Sequence, residues 1–591
     1  MSKTTTKSTS DNQASGELII LIESQLSPQS IDGTIFSTSA NEDINQLSNV
    51  LSKSGAKIIP LFGPENRIMD NADVAEFTAA SGIILSEFYT VETNENKESL
   101  AKELLDQPGV LAAYVKPKPQ PPVLEEKFHS YNPPSPTDIT PPTTPNYQSR
   151  QVYLDAAPAG VDAHYAHTLP GGKGDGIRII DIEGAWRFTH EDLLFNQGGV
   201  IAGDSSTEIR WRNHGTAVIG TFGGDENNKG ILGISPNAQT RAISIFGPNN
   251  SSSKAIKLAA DALSAGDIIL IELHAAGPFA NDEGQFGYIA MEWWPDDFAA
   301  IRYATNKGII VVEAAGNGSQ NLDASGYNTR PEGFPTTWRN PFNLANPQSG
   351  AILVGAGAPP PGTHGRNHGA ARSRLDFSNY GARIDAQGWG AEVTTAGYGN
   401  LQGGGNENYW YTDTFNGTSS ASPIVVGALA CIQGRLKNRS KALLTPATAR
   451  NILRTTGSPQ QSSTGFPVTQ RIGNLPNLKE AFASLGVHQP ILKHNTKEMK
   501  DNIKEVKEIK EFKEKDFKEL KELEKRIEKN PKELREKLKE TFDDFNISQP
   551  DQQYNFSLEE RLNKIETAIE QIYHFISSDN RPDLRSHLED Y

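Results

Sequence analysis

Three segments carry residue types that together could do nucleophilic chemistry. An apolar run, GIRIIDIEG, contains Asp181; a small-residue segment, NHGTAVIGTFGG, contains His214; and FNGTSSASPIVVGALA places Ser419 at a turn entering a helix. A serine hydroxyl attacks a carbonyl only when a base takes its proton, and histidine suits that task because its pKa lies near neutrality. A buried carboxylate fixes the imidazole tautomer and stabilises the imidazolium that forms. On these grounds Ser419 is the nucleophile, His214 the base and Asp181 the orienting carboxylate. Charge then develops on the carbonyl oxygen and needs preorganised donors. The amide of Asn317, in AAGNGS after the strand GIIVVE, and the backbone N–H of Ser419 are placed to supply them.

The segments and their order, Asp, His, Asn, Ser, resemble those of the subtilisin (subtilase) family of serine peptidases. HEDL at His190, KGILGISPNAQ and LTPATARNIL extend the likeness over about 157–485. The resemblance implies an endopeptidase that hydrolyses peptide bonds through an acyl-enzyme, with Asp181, His214 and Ser419 catalytic and Asn317 in the oxyanion hole. It further implies that Leu273, His274, Ala275 and Gly316 line the substrate cleft. His274 and Ala275 stand where the family often has glycine, which should narrow that cleft. After Asp181 come Ile-Glu, where the family commonly has a small hydroxyl residue and glycine; Glu183 could sit near Asp181 and perturb the triad's ionisation, but the favoured expectation is a carboxylate facing solvent. Calcium is typical of the family, and DENNKG at Asp225 carries oxygen ligands that suit it, but the spacing favours ordinary loop chemistry. No other cofactor is implied. His190 reads as structural, Cys431 as a small buried hydrophobe, and Trp293 and Trp294 as core rather than groove wall. A rival reading is a catalytically silent subtilisin-fold scaffold acting through its C-terminal coiled coil, against which the presence of all four site residues argues.

The elements that must position these residues follow from hydrophobic periodicity. From Tyr153 to Leu485, apolar strands alternate with helical patterns and Gly-rich turns, the pattern of an α/β domain with a parallel sheet flanked by helices. Ahead of it, a polar tail (1–15) precedes a β-α-β-β-α-β order over 16–116, which suggests a small ferredoxin-like α+β unit. Subtilisin-like enzymes often carry such a prodomain, which implies restraint of the peptidase until cleavage. Residues 117–150 are proline-rich (KPKPQPP, NPPSP, TPPTTP) and read as an extended, poorly packed linker to the peptidase domain at 151–486. Beyond lies a Lys/Glu-rich helical region (487–548). Then Leu558, Leu562, Ile565, Ile569, Ile572 and Ile576 form a short heptad seam within 549–591.

Composition bounds the partners. With 57 Lys and Arg against 72 Asp and Glu, a formal charge of −15 argues against a duplex nucleic-acid binder. One cysteine excludes an intramolecular disulfide and any multi-cysteine metal site. The polar N-terminus lacks a secretory signal and no run is long enough to span a bilayer, so a cytoplasmic protein with a protein or peptide substrate is expected. The heptad seam adds a possible homo-oligomer or docking partner.

Overall fold

Parallel β-strands with short apolar cores and a run of buried helices set the frame of the site. The computed structural model describes residues 16–23, 29–31, 34–36, 42–63, 88–123, 144–281 and 283–488. The charged helical region and the heptad seam lie outside the described residues.

The N-terminal unit runs β1 (Glu17–Ile22), a hairpin of β2 (Gln29–Ile31) and β3 (Thr34–Phe36), α1 (Glu42–Lys53), β4 (Lys57–Pro60), β5 (Phe88–Glu92), α2 (Lys97–Leu105) and β6 (Val110–Lys116). Its antiparallel sheet has the order β4-β5-β1-β6. Alternation along β1 sends Leu18, Ile20 and Ile22 toward α1 and α2, and Ile19 and Leu21 toward the large domain's core. Both faces of this sheet are therefore covered.

The large domain follows with α3 (Ala163–His167), β7 (Arg178–Glu183), β8 (Gln197–Ala202), α4 (Ile209–Gly223), β9 (Gln239–Ser244), α5 (Ser252–Ala262), β10 (Ile268–Ile271), β11 (His274–Ala276), β12 (Tyr288–Ala290), α6 (Pro295–Asn306), β13 (Ile310–Ala314), β14 (Ile352–Gly357), β15 (Ala386–Trp389), β16 (Val393–Ala396), β17 (Tyr411–Phe415), α7 (Thr418–Asn438), α8 (Pro446–Thr455) and α9 (Leu478–Ser484). Seven parallel strands take the order β15-β14-β13-β10-β7-β9-β8. The chain leaves β7 to one side and returns to add β10 on the other. Ligands in such sheets bind beyond the strand ends at that reversal.

Residue parity distributes the core over the two sheet faces. Ile179, Leu270 and Val312 pack with α4 and α7, while Ile180, Ile182, Ile269, Ile271 and Val311 pack with α5 and α6. By the same parity Asp181 and Glu183 leave β7 on the α4–α7 face, which brings two carboxyls into the layer that holds His214 and Ser419.

Docking of the N-terminal unit rests on one buried cation. Lys116, the last residue of β6, is fully buried. Its ammonium pairs with Asp296 and lies 3.1 Å from Asp297 Oδ2 and 3.1 Å from Ser252 Oγ, at the first turns of α6 and α5. Although burial opposes it, the Asp296 and Asp297 carboxylates hold Lys116 charged. Tyr114 Oη adds a hydrogen bond to Asp296 at 2.8 Å.

Candidate active site

The carboxylate that meets the imidazole is Glu183. Its Oε2 lies 2.7 Å from His214 Nδ1, and both residues are fully buried. Asp181, the expected orienting residue, instead accepts the indole N–H of Trp186 at 2.7 Å through Oδ2. The physical reason is position along the strand: Glu183 ends β7 and reaches the open edge beneath α4, whereas Asp181 lies one side-chain layer deeper. The expectation of a solvent-facing Glu183 is thus overturned. Burial pushes both carboxyl pKa values well up, and for Asp181 the neighbouring Glu183 charge adds to the effect. Burial pushes His214 down to about 3, against the pull of Asp181. The imidazole is therefore neutral, with Nδ1–H donated to Glu183 and the Nε2 lone pair open: no described group hydrogen-bonds that atom.

Ser419 is the second residue of α7, after Gly417 at φ +97°. Its hydroxyl donates to the carbonyl oxygen of Pro122 at 2.6 Å, and its backbone N–H points at the same oxygen at 3.4 Å. A Cβ at Gly417 would collide with that carbonyl, so only glycine lets the strap approach the helix end. The strap, residues 117–123, is the N-terminal end of the stretch expected to be a loose linker. It is held because Gln120 pairs in antiparallel fashion with His274, its N–H to His274 O at 2.9 Å and His274 N–H to its carbonyl at 3.1 Å. Two residues later, Val123 N–H turns back to Pro121 O at 2.9 Å, a tight turn centred on Pro122. The linker's other described end is packed as well, with Tyr147 N–H donating to Gly230 O at 2.7 Å.

The remaining expected site residues surround this strap. Asn317 Oδ1 accepts from Thr418 N–H and Oγ1–H, both at 2.9 Å, which fixes its amide beside α7. Its Nδ2 donates to Gln285 Oε1 at 3.1 Å, and Gln285 Nε2 donates to Pro121 O at 3.0 Å. Gln285 was not anticipated, because nothing in its local sequence marks a contact with a proline-rich segment. Gly316, at φ +95°, donates its N–H to Thr418 Oγ1 at 3.2 Å. His274 supplies the strand edge, with its ring 4.9 Å from that of Tyr288, while Leu273 and Ala275 are buried in the core beside it. A third carboxyl, Glu272, went unnoticed in the sequence. It is fully buried and accepts from Ser422 Oγ; burial, then the Asp181 and Glu183 charges, push its pKa well up.

A serine at a helix start, an imidazole with an open Nε2 and a carboxylate behind it agree with the family model that matches the chain, the subtilase family over residues 187–479. Residues 187–479 form a subtilase domain. The match begins downstream of Asp181 and Glu183, so it assigns neither. Curated relatives include alkaline protease of Alkalihalobacillus alcalophilus, 27% identical over 46% of this chain and 58% of that protein. Subtilisin Savinase of Lederbergia lenta is 26% identical over 46% of this chain and 81% of that protein. The chain thus spans less than two-thirds of the first relative's length. Among solved structures, fervidolysin of Fervidobacterium pennivorans, a keratinolytic enzyme, matches with a TM-score of 0.45 and 17% identity over 79% of this chain and 61% of that one.

The loop of the subtilase domain that carries DENNKG does not fit a calcium ion. Asp225 already accepts the N–H groups of Leu194 and Phe195, at 2.8 and 3.1 Å. Asp192 accepts from Asn227 Nδ2 at 2.8 Å, Ile231 N–H at 2.7 Å and Tyr411 Oη–H at 2.9 Å. The Lys229 ammonium, 2.7 Å from Glu191 Oε2, supplies positive charge where a cation would. Among the described residues no cluster of three metal-ligating side chains occurs, and no helix is long and apolar enough to cross a membrane. His190 is buried, with Nε2 donating to Trp410 O at 2.8 Å and Nδ1 accepting Asp192 N–H at 3.2 Å. Cys431 is buried and its thiol faces Ile234 O. Trp293 and Trp294 are buried, and Trp293 packs with Tyr327, Trp338 and Phe342.

Proposed function

We propose that the chain is a serine endopeptidase in which Ser419 attacks, His214 moves the proton and Glu183 orients His214. The observation that carries this reading is the strap: a peptide of the chain itself pairs by backbone with His274 and presents its Pro122 carbonyl to Ser419. On a substrate, the Ser419 hydroxyl proton passes to His214 Nε2 as Oγ bonds to the peptide carbon. The carbonyl oxygen takes the charge, stabilised by Ser419 N–H and the Asn317 amide once Gln285 releases it. The imidazolium then protonates the leaving amine, and water resolves the acyl-enzyme by the same route. Through both steps Glu183 remains ionised against Nδ1–H.

The N-terminal unit acts as a restraining prodomain in this reading. Ser419 Oγ–H is donated to the Pro122 oxygen instead of to His214, so the hydroxyl faces the wrong atom for attack on the Pro122 carbon. Pro122 also has no N–H to give to the cleft, and its turn draws the following bond away from an extended path. The buried Lys116 cation anchors the unit that delivers the strap.

The test compares the full chain with Ser419→Ala and Glu183→Gln on self-cleavage and on a peptide panel, before and after limited proteolysis. Ser419→Ala is expected to lose activity by roughly 10⁴-fold or more, and Glu183→Gln by about 10³–10⁴-fold. If the wild type neither cleaves nor reacts with a serine-directed phosphonate after the strap is opened, the peptidase reading falls and a silent scaffold takes its place.

A further inference from the structure

Asp181 and Glu183 stand two residues apart on β7 and leave the sheet on one face. Both are fully buried, and each has one oxygen engaged, Asp181 Oδ2 by Trp186 and Glu183 Oε2 by His214. The other two oxygens, Asp181 Oδ1 and Glu183 Oε1, receive no donor from any described protein group. Close together on one strand face, the two interact: the Glu183 charge adds to burial in pushing the Asp181 pKa up. Two buried carboxylates so placed repel, and a single shared proton converts the repulsion into a hydrogen bond.

We infer that Asp181 is a positioning residue that stays protonated and donates its hydroxyl to Glu183 Oε1, so that Glu183 faces His214 as the pair's one carboxylate. This rests on the peptidase reading given above. The partners decide which carboxyl keeps the proton. Glu183 faces an N–H that becomes cationic when His214 accepts the serine proton, whereas Asp181 faces only a neutral indole. Glu272, across from β7 after β10, disfavours a second charge; Tyr398 also faces Glu183, and Arg210 on α4 acts on His214. Both oxygens of Glu183 are then fixed before the reaction begins.

Asp181→Asn is the discriminating variant, because an amide donates where a protonated carboxyl donates and cannot ionise. With the full chain activated by limited proteolysis, kcat is expected to stay within about threefold of wild type. Asp181→Ala should lower kcat about 10–100-fold with KM little changed. The infrared carbonyl band of a protonated carboxyl at pH 7 should be present in wild type and lost in Asp181→Asn. Should Asp181→Asn not fold, Trp186→Phe serves instead: band and turnover both persist if Asp181 is neutral. Loss of turnover in Asp181→Asn as deep as in Glu183→Gln, with no band lost, overturns the inference. A silent wild type that keeps the Asp181 band instead supports the carboxyl pair and removes the peptidase reading.

Discussion

Ser419 Oγ donates to Pro122 O across 2.6 Å, joining the start of α7 to a segment 297 residues earlier in the chain. One hydrogen bond thus engages the Ser419 hydroxyl and seats the strap at the start of α7. It forms because Gln120 supplies the single backbone pair a short peptide needs to hold register, and because Pro122 turns the chain immediately afterwards.

That turn should decide whether the strap inhibits or is cut. Replacing Pro121 and Pro122 together by alanine restores an N–H at residue 122 and frees the chain to extend past Ser419. Self-cleavage after residue 122 is expected to speed up by about tenfold or more. A gel time course with N-terminal sequencing checks it, the new product beginning at Val123. An unchanged rate would mean that the turn at Pro122 does not protect the bond.

Parity along β7 was legible in the sequence, since IIDIE alternates apolar residues with carboxyls. It places Asp181 and Glu183 on one face but does not choose between them. The choice depends on where the strand ends, because the chemistry of a parallel sheet lies past its C-terminal edge. The strand runs past Asp181 to Glu183, and it is the Glu183 carboxylate that meets His214 Nδ1. The helix start at Ser419 was readable from the small residues of NGTSSASP, and the structure sets Asn317 beside it. The strap was not, since proline density reads as loose chain and the one residue that pairs, Gln120, has no distinguishing neighbours. The run LIILI in β1 did carry a signal: apolar residues on both parities mean that both faces of that sheet are covered.

Lys116 offers a second handle on the docked N-terminal unit. Lys116→Met removes the cation and leaves Asp296 and Asp297 buried without it, at a cost of about 3–5 kcal/mol to the docked state. The N-terminal unit should then be digested faster by an added protease than in wild type. Combining Lys116→Met with Asp296→Asn and Asp297→Asn should recover most of the loss, because neutral partners need no counter-charge. If the single variant resists digestion as wild type does, the buried cation does not hold the unit in place.

The DENNKG loop predicts indifference to chelators. Asp225 is satisfied by the N–H groups of Leu194 and Phe195, the adjoining Asp192 by Asn227, Ile231 N–H and Tyr411, and Lys229 provides the positive charge. A chelator should leave the melting temperature unchanged, whereas Lys229→Ala should lower stability by about 0.5–1 kcal/mol, the scale of a partly exposed ion pair. A chelator-induced drop in melting temperature that added calcium reverses would contradict this account of the loop.

His190 gives a pH-dependent test confined to the fold. Burial pushes its pKa from 6.5 down to about 4, outweighing the opposing hydrogen bond to Trp410 O. Its geometry explains why: Nδ1 accepts the Asp192 N–H, so a proton there would point at another donor. Because the folded pKa lies below the unfolded one, the unfolded chain takes up the proton first as pH falls. The stabilisation is complete above pH 6.5 and is lost as pH drops toward 4, by about 3 kcal/mol in all for the shift from 6.5 to about 4. His190→Gln cannot take up a proton, so its stability should fall less steeply than that of wild type through this window in denaturant titrations at stepped pH. Parallel curves for the two proteins would mean that His190 is already charged in the fold, against the tautomer that its two hydrogen bonds require.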